Sequence, residues 1–275
     1  MAANPEPAWQ FANAADQRLS YLRTDKDKPP VVLVHGFTDG SVVWQSLIRD
    51  LVADYDVIAY DSRGHGGSSR VSAPYSFVDL ADELEALVGV LGLKTPVGLI
   101  GHSMGATVAA MLAARRPDLV AWLILEDPYF REEPMRREFL AQWRAATAQA
   151  QTLSQAALAD LYRAQHYPTW REEDIQTRAQ ARLMIDLAIF DHMDWWSGPS
   201  WYETCAALHC KGLLLCGDVD KGAVVTPQAA QTVSNLWRGV RVVYVSGVGH
   251  HIRCGHPIRY AEAIGAFLAD LEGIP

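Results

Sequence analysis

The feature that most constrains the fold is a glycine-flanked serine between an apolar run and a helical pattern. Residues 97–100 predict a buried strand, residues 104–115 predict a helix, and residues 101–105 between them read Gly-His-Ser-Met-Gly. A turn this sharp strains the backbone of its central residue, Ser103, and leaves no room for side chains two positions away. Gly101 and Gly105 occupy those positions. The pattern therefore predicts a strand–turn–helix unit with a serine hydroxyl that stands clear of the chain.

Strands and helices alternate on both sides of this unit. Apolar runs typical of strands buried on both faces of a parallel sheet lie at 31–34, 57–60, 97–100, 122–125, 212–216 and 240–245. Helical spacing of apolar residues occurs at 43–51, 77–91, 104–115, 227–237 and 257–271. Two short opening strands are expected at 9–11 and 18–23. This alternation predicts an α/β fold with a doubly wound, mostly parallel sheet.

The alternation stops between residues 129 and 207. No buried-strand run occurs there, and helices are predicted at 131–149, 154–164 and 171–190. We interpret 129–207 as an inserted helical cap on a core formed by 1–128 and 208–275. Five of the nine tryptophans lie in this segment, and they are Trp143, Trp170, Trp195, Trp196 and Trp201. We expect several of them to line an apolar or aromatic pocket, although packing within the core would also account for them.

Composition excludes several classes of partner. The 275 residues carry a net charge of −8, which argues against nucleic acid and anionic membrane surfaces. Residues 1–7 lack the features of a secretory signal, no apolar run is long enough to span a bilayer, and we expect a cytoplasmic protein. The four cysteines are predicted to be free thiols. Cys205, His209 and Cys210 lack a zinc-binding spacing, so no metal or cofactor is expected.

A histidine in a glycine-rich loop is the candidate general base. Residues 246–250, directly after the last predicted strand, read Ser-Gly-Val-Gly-His. A serine nucleophile needs a base within hydrogen-bond reach, and the glycines would let the loop bring the His250 ring to Ser103. His251 is expected to border the pocket. His35 and His102 are expected to be packed, hydrogen-bonded neighbours of the site.

Four stretches together resemble the α/β-hydrolase-fold serine hydrolases with a helical cap, in the esterase and lactonase branch. They are 35–37 (His-Gly-Phe), 61–68 (Asp-Ser-Arg-Gly-His-Gly-Gly-Ser), 101–105 and 247–250 (Gly-Val-Gly-His). The resemblance implies that the backbone N–H groups of Phe37 and Met104 form an oxyanion hole. Relatives that hydrolyse epoxides or haloalkanes have an aspartate at the turn, so Ser103 argues against those activities. Arg63 is expected in a structural salt bridge rather than as a substrate anchor.

The acid that should orient His250 is the open point. The resemblance implies the chain order serine, acid, histidine, with the acid usually in the loop after strand 213–216. Asp218 follows that strand directly and is favoured, whereas Asp220 lies in what looks like a solvated turn. Asp127 is the rival, because some members, including zearalenone-type lactonases, carry the acid after the preceding strand. Glu126 is expected to be a neighbour of the acid.

The predicted catalytic set is Ser103, Asp218 and His250, acting without a cofactor. The resemblance implies a serine esterase that cleaves carboxylic esters of bulky apolar or aromatic small molecules through an acyl-enzyme. A lactonase and a C–C bond hydrolase are variants of the same chemistry. A non-catalytic ligand-binding receptor of this fold is the alternative from another class. The expected partner is a small-molecule ester or lactone, and the expected state is a monomer or homodimer.

Overall fold

A single eight-stranded sheet organises the protein in the computed structural model, which describes residues 9–71, 74–131, 136–166, 168–194 and 197–272. The strands are β1 (Gln10–Ala14), β2 (Gln17–Arg23), β3 (Pro30–Val34), β4 (Asp56–Tyr60), β5 (Val97–His102), β6 (Val120–Glu126), β7 (Lys211–Cys216) and β8 (Val240–Tyr244). Their order is β1-β2-β4-β3-β5-β6-β7-β8. β2 pairs antiparallel with β1 and β4, and the remaining pairs are parallel. The predicted doubly wound, mostly parallel sheet is confirmed.

Helices cover both faces of this sheet and fill one long connection. In the described part of the chain they are α1 (Gln45–Leu51), α2 (Phe77–Val90), α3 (Met104–Arg115), α4 (Arg137–Ala150), α5 (Gln155–His166), α6 (Glu172–Leu183), α7 (Ala188–Asp191), α8 (Trp201–Ala206), α9 (Pro227–Leu236), α10 (Ile252–Gly255) and α11 (Pro257–Glu272). Short 3-10 turns occur at Ser41–Trp44 and Val219–Lys221. None of the helices in the described ranges is long and apolar enough to cross a bilayer.

The central strand β3 is apolar throughout because it contributes to two cores. In β3, Val32 and Val34 pack in the layer that contains α2, α3 and α9, while Val31 and Leu33 pack in the layer of α1 and α11. Successive side chains of a strand point to opposite faces, so a strand covered on both faces needs apolar residues at every position. The unbroken runs in the sequence therefore mark the central strands correctly.

The inserted segment differs in detail from its prediction. Helices α4 to α8 lie in the described part of the segment between β6 and β7, but the predicted helix at 171–190 is divided into α6 and α7. Asp186 lies at the break, where its carboxylate accepts the N–H groups of Ala188 at 3.1 Å and Val71 at 2.9 Å. Its own N–H donates to the Gly64 carbonyl at 2.8 Å. These contacts with the core interrupt the helix at this point. The spacing of apolar residues in the sequence gives no indication of such contacts. The short helices α8 and α10 were also not predicted.

Candidate active site

Ser103 occupies the predicted sharp turn between β5 and α3. Its backbone has φ 51° and ψ −114°, a conformation that non-glycine residues rarely adopt. A Cβ atom on Gly101 would lie 2.5 Å from the Ala106 backbone, and one on Gly105 would lie 2.1 Å from the Val34 carbonyl oxygen. Both approaches are too close for any side chain. The two glycines are therefore required by the packing of β3, β5 and α3 around the serine.

His250 lies after β8 and forms its side-chain contact with Asp127. Its Nδ1 is 2.6 Å from Asp127 Oδ2. Asp127 directly follows β6, is fully buried and has φ 42°, a left-handed conformation that aspartate tolerates better than most residues. Its carboxylate also accepts the N–H groups of Val224 at 2.8 Å and Val225 at 2.9 Å. Three donors thus fix the carboxylate, and a proton on Nδ1 leaves Nε2 of His250 free to act as a base.

The prediction that Asp218 orients the His250 ring is wrong in this structure. Asp218 instead binds the backbone of the histidine loop, since Oδ2 accepts the Gly247 N–H at 2.6 Å and lies 3.3 Å from the Ser246 hydroxyl. Its own N–H donates to the Val248 carbonyl at 2.6 Å. The sheet order explains the difference: β6 lies beside β5, which carries Ser103, whereas β7 lies one strand further away and next to β8. Asp218 therefore reaches the base of the loop and not its tip.

The other two acidic candidates have separate places. Asp220 lies on the 3-10 turn Val219–Lys221 and is exposed. Glu126 is fully buried and binds Arg253, accepting from Nη1 at 2.9 Å and from the backbone N–H at 2.9 Å. Glu126 is thus a neighbour of Asp127, as predicted, and its charge is compensated by a buried guanidinium.

A buried polar network extends from the site to the inserted helices. Asp39, in the loop after β3, lies 2.7 Å from Arg178 Nη1 of α6 and 3.2 Å from His102 Nδ1. His102 Nε2 lies 3.0 Å from the carbonyl oxygen of His250. Arg253 Nη2 is 3.8 Å from the Asp39 carboxylate. The network therefore joins the loop after β3, the residue before Ser103, the backbone of His250 and α6.

Charge in this network is unevenly shared. Burial alone would raise the pKa of Asp39, but the Arg178 guanidinium and the His102 ring hold that pKa well below its usual value. Burial lowers the pKa of His102. Both ring nitrogens of His102 face acceptors, so the neutral ring can donate only one of the two hydrogen bonds at a time. Burial is the main cause that lowers the pKa of His251 well below its usual value, and the charge of Arg178 is the second.

The same residues include a possible set of metal ligands. One ligand atom each from Asp39, His102 and His251 lie within 4.8 Å of one another. Arg178 Nη1, however, is 2.7 Å from Asp39 and 3.3 Å from His251 Nδ1. A guanidinium therefore already supplies the positive charge at this place, and a metal ion would have to displace it.

Comparison with known proteins identifies the family. Residues 29–252 match the family described as alpha/beta hydrolase fold. The chain belongs to the α/β hydrolase family. A 2-(acetamidomethylene)succinate hydrolase from Mesorhizobium japonicum is 31% identical, covering 91% of this chain and 92% of that protein. An N-formylmaleamate deformylase from Pseudomonas putida is 28% identical over the same shares of the two chains. The crystal structure of E-2-(acetamidomethylene)succinate hydrolase aligns with a TM-score of 0.80 at 23% identity, covering 96% of this chain and 99% of that one.

The histidines and the arginine expected to be structural in this α/β hydrolase are packed. His35 Nε2 accepts the Ser62 N–H at 3.0 Å, and its Nδ1 lies 2.8 Å from the Gly36 carbonyl. Arg63 lies 3.8 Å from the Glu83 carboxylate, and burial raises the pKa of Glu83 to about 8. Arg63 is therefore part of a loose buried pair, in agreement with its predicted structural role.

In this α/β hydrolase, a hydrogen bond from His65 supports the loop that is expected to supply an oxyanion donor. Phe37 is buried, and its carbonyl lies 2.6 Å from Nε2 of His65. Burial lowers the pKa of His65 to about 4, so its ring is neutral at pH 7 and donates a single hydrogen bond. Met104 begins α3, where backbone N–H groups have no partner within the helix. The role of Phe37 and Met104 as oxyanion donors stays a prediction.

The tryptophans of the inserted segment have different surroundings. Trp143 contacts the ring of Phe37, with centroids 5.0 Å apart, and Trp170 contacts His251 at 5.4 Å. Trp201 stacks on Phe130 at 5.4 Å. Trp195 and Trp196 lie outside the described residues.

The four cysteines are free.

Sequence reasoning missed the polar network. Arg178 carried no motif, and Asp39 follows the His-Gly-Phe motif without a pattern of its own. The sequence signal that could have indicated a buried, paired Arg178 is its position on a helix. It lies on the face of α6 that also buries Ile175 and Ala179, where an arginine needs a carboxylate partner.

Proposed function

We propose that this α/β hydrolase cleaves a carboxylic ester of a small molecule through an acyl-enzyme, with Ser103, His250 and Asp127 as the catalytic residues. The observation that carries the proposal is the 2.6 Å contact between His250 Nδ1 and Asp127, combined with a serine in a strained turn on the neighbouring strand. A serine, a base and an orienting carboxylate are the components that nucleophilic acyl transfer requires.

The reaction follows from these positions. Ser103 Oγ attacks the carbonyl carbon while Nε2 of His250 takes the hydroxyl proton, and the charge of Asp127 stabilises the imidazolium. The N–H groups of Phe37 and Met104 stabilise the oxyanion of the tetrahedral intermediate. His250 then returns the proton to the leaving alcohol, and the acyl group remains on Ser103. A water molecule, activated by the same base, His250, then attacks the acyl-enzyme and releases the carboxylic acid product.

The names of the two curated relatives extend the candidate substrates to N-acyl compounds. Those proteins are named for an acetamido compound and an N-formyl compound. Attack on an amide uses the same nucleophile and oxyanion hole, but its leaving group is poorer than an alcohol. A triad suited to amides therefore also accepts activated esters, and ester probes test the machinery in either case. A lactone differs only in that the alcohol stays attached to the acyl group.

We also propose that residues 129–207 form a cap over the site. Two contacts support this: Trp143 of α4 packs on Phe37, and Arg178 of α6 binds Asp39. Both core residues lie in the loop after β3, which would supply an oxyanion donor. The inserted helices therefore rest on a part of the catalytic machinery.

The test measures labelling of Ser103 and turnover of p-nitrophenyl acetate. We expect a fluorophosphonate to modify the wild-type protein once, at Ser103, and Ser103→Ala to lose labelling and at least about 10⁴-fold in kcat/KM. Ser234→Ala, at an exposed serine of α9, is the matched control and should behave like wild type. A wild-type protein that binds ligands but is neither labelled nor active would support the receptor alternative and overturn the proposal.

A further inference from the structure

A cavity of about 340 Å³ lies between α3, α8 and the segment that follows Asp127. Two of its lining residues follow the proposed catalytic residues closely in the sequence. Thr107 lines it one helical turn after Ser103, and Tyr129 lines it two residues after Asp127. Residues close in the chain to both the nucleophile and the acid therefore line the cavity.

Hydrogen bonds connect this wall to the strained turn. The Thr107 hydroxyl donates to the Ser103 carbonyl at 3.3 Å and accepts the Tyr129 N–H at 3.0 Å. The wall is thus held in a defined position relative to Ser103. A group bound in the cavity would be positioned by the same residues that hold the nucleophile.

Aromatic rings make up much of the lining. Trp201 stacks on Phe130 with centroids 5.4 Å apart and an interplanar angle of 8°, and on Tyr202 at 3.7 Å. Phe77 and Tyr129 also line the cavity, with their centroids 6.2 Å apart. Flat apolar walls of this kind favour flat apolar guests. The volume is at the lower end of the range for ligand pockets, which suits one ring rather than a long chain.

Polar groups of the lining are largely used by the protein itself. The carboxylate of Glu203 accepts both the N–H of Ser200 at 2.9 Å and its hydroxyl at 2.8 Å. The Thr204 hydroxyl donates to the Ser200 carbonyl at 3.0 Å. These groups are engaged in the first turn of α8, so they offer little to a charged guest. The charged side chain of Arg131 also lines the cavity and is exposed.

We propose that this cavity is a specificity subsite that binds one uncharged aromatic ring, or a branched hydrocarbon group of similar size, of the substrate. The proposal rests on the function proposed above, because it assumes that the substrate reacts at Ser103. Met111 on the second turn of α3 lines the cavity and is buried, so its size sets the space available.

The experiment compares substrates with and without a ring in two series. One series carries the ring on the acyl side, as p-nitrophenyl phenylacetate against p-nitrophenyl acetate. The other carries it on the alcohol side, as benzyl acetate against ethyl acetate. In Met111→Trp, the ratio of kcat/KM for the ring-bearing ester to that for its small counterpart should fall about tenfold in one series. Tyr202→Leu, which removes a stacked ring without filling the space, should lower the same ratio.

Met184→Trp is the matched control, since Met184 is an exposed methionine outside the cavity lining. It should leave both ratios unchanged. Direct binding separates this proposal from the proposed reaction. The ¹⁹F signal of 4-fluorobenzyl alcohol should broaden with wild type and remain sharp with Met111→Trp, whether or not the protein turns over esters.

Four outcomes can be distinguished. A lower ratio in one series together with lost ligand binding supports the subsite. Unchanged ratios in both series, in variants that are folded and still labelled at Ser103, overturn it. Ligand binding that survives in both cavity variants also overturns it. Failure of fluorophosphonate labelling in wild type would count against the reaction and not against the cavity.

Discussion

The loops after β6 and β7 both have an aspartate at or next to their first position, and the two aspartates differ in what they bind. Asp127 directly follows the buried strand β6, and Asp218 follows β7 after one glycine. Both carboxylates are bound to the part of the chain around His250. Asp127 contacts the imidazole at 2.6 Å, whereas Asp218 accepts a backbone N–H of the same loop, that of Gly247, at 2.6 Å. One aspartate thus orients the ring, and the other holds the loop that carries it.

The difference shows how two similar carboxylates obtain different functions. Asp127 is fully buried and accepts three hydrogen bonds from three residues, whereas Asp218 is half-buried and mainly ties down a loop. A third carboxylate, Asp39, acts on the same histidine from the other side through His102 and the His250 carbonyl. Substitution of each aspartate by asparagine separates ring orientation from support of the loop.

The largest effect is expected at Asp127. Asp127→Asn removes the charge that stabilises the imidazolium, and we expect kcat/KM to fall on the order of 10³ to 10⁴-fold. The amide has one oxygen where the carboxylate has two, so one of the N–H groups of Val224 and Val225 loses its acceptor, at a cost of about 1–3 kcal/mol in the free energy of unfolding. Ester kinetics and chemical denaturation measure the two losses. If Asp127→Asn retained activity within a few-fold, the assignment of the acid would be wrong.

An intermediate effect is expected at Asp39. Asp39→Asn leaves the buried cations Arg178 and Arg253 without their shared negative charge, which should destabilise the protein by about 3 kcal/mol. The His250 backbone loses part of its support, and we expect about a tenfold fall in kcat/KM. The double variant with Arg178→Met should be more stable than Asp39→Asn alone, because it removes an unpaired cation. Additive losses would show that the two residues do not interact.

The pH dependence of this variant tests the same network. The folded-state pKa of Asp39 is held well below its unfolded value of about 4. Its contribution to stability is therefore fully present above that unfolded value, and it is lost progressively as the pH falls from there through the lower, folded value. We expect the difference in unfolding free energy between wild type and Asp39→Asn to stay constant from about pH 6 to 8 and to shrink below about pH 4. A difference that shrinks near pH 6 would contradict the depressed pKa.

The smallest effect is expected at Asp218. Asp218→Asn keeps an oxygen that can accept the Gly247 N–H, so we expect kcat/KM to fall by no more than about tenfold and stability by about 1 kcal/mol. Asp220→Asn, at an exposed position of the same loop, should change neither. A loss at Asp218 as large as that at Asp127 would remove the distinction between the two loops.

Much of the fold could be predicted from residue patterns because the relevant forces are local or periodic. Strands buried on both faces are continuously apolar, and the span predicted for the helix after Ser103 coincides with α3, Met104–Arg115. The glycines at 101 and 105 marked a steric requirement that the structure shows directly. These features depend on neighbours in sequence or on one repeating contact surface.

The acid and the shape of the inserted segment could not be predicted in this way. Asp127 and Asp218 both lie at the carboxyl edge of neighbouring parallel strands, and nothing local distinguishes them. Their roles follow from which strand adjoins β5 and from the path of the loop after β8. The break between α6 and α7 likewise depends on contacts of Asp186 with Gly64 and Val71, more than one hundred residues earlier.

The hydrogen bond between Asp127 and His250 joins residues 123 positions apart in the chain. In polymer terms it closes a loop that contains all of α4 to α8. The entropic free-energy cost of closing such a loop grows by only roughly 0.6 kcal/mol for each doubling of its length. An acid at Asp218 would have left these helices outside the closed loop. With Asp127 in that role, the insertion can lengthen, shorten or be exchanged between two fixed anchor points.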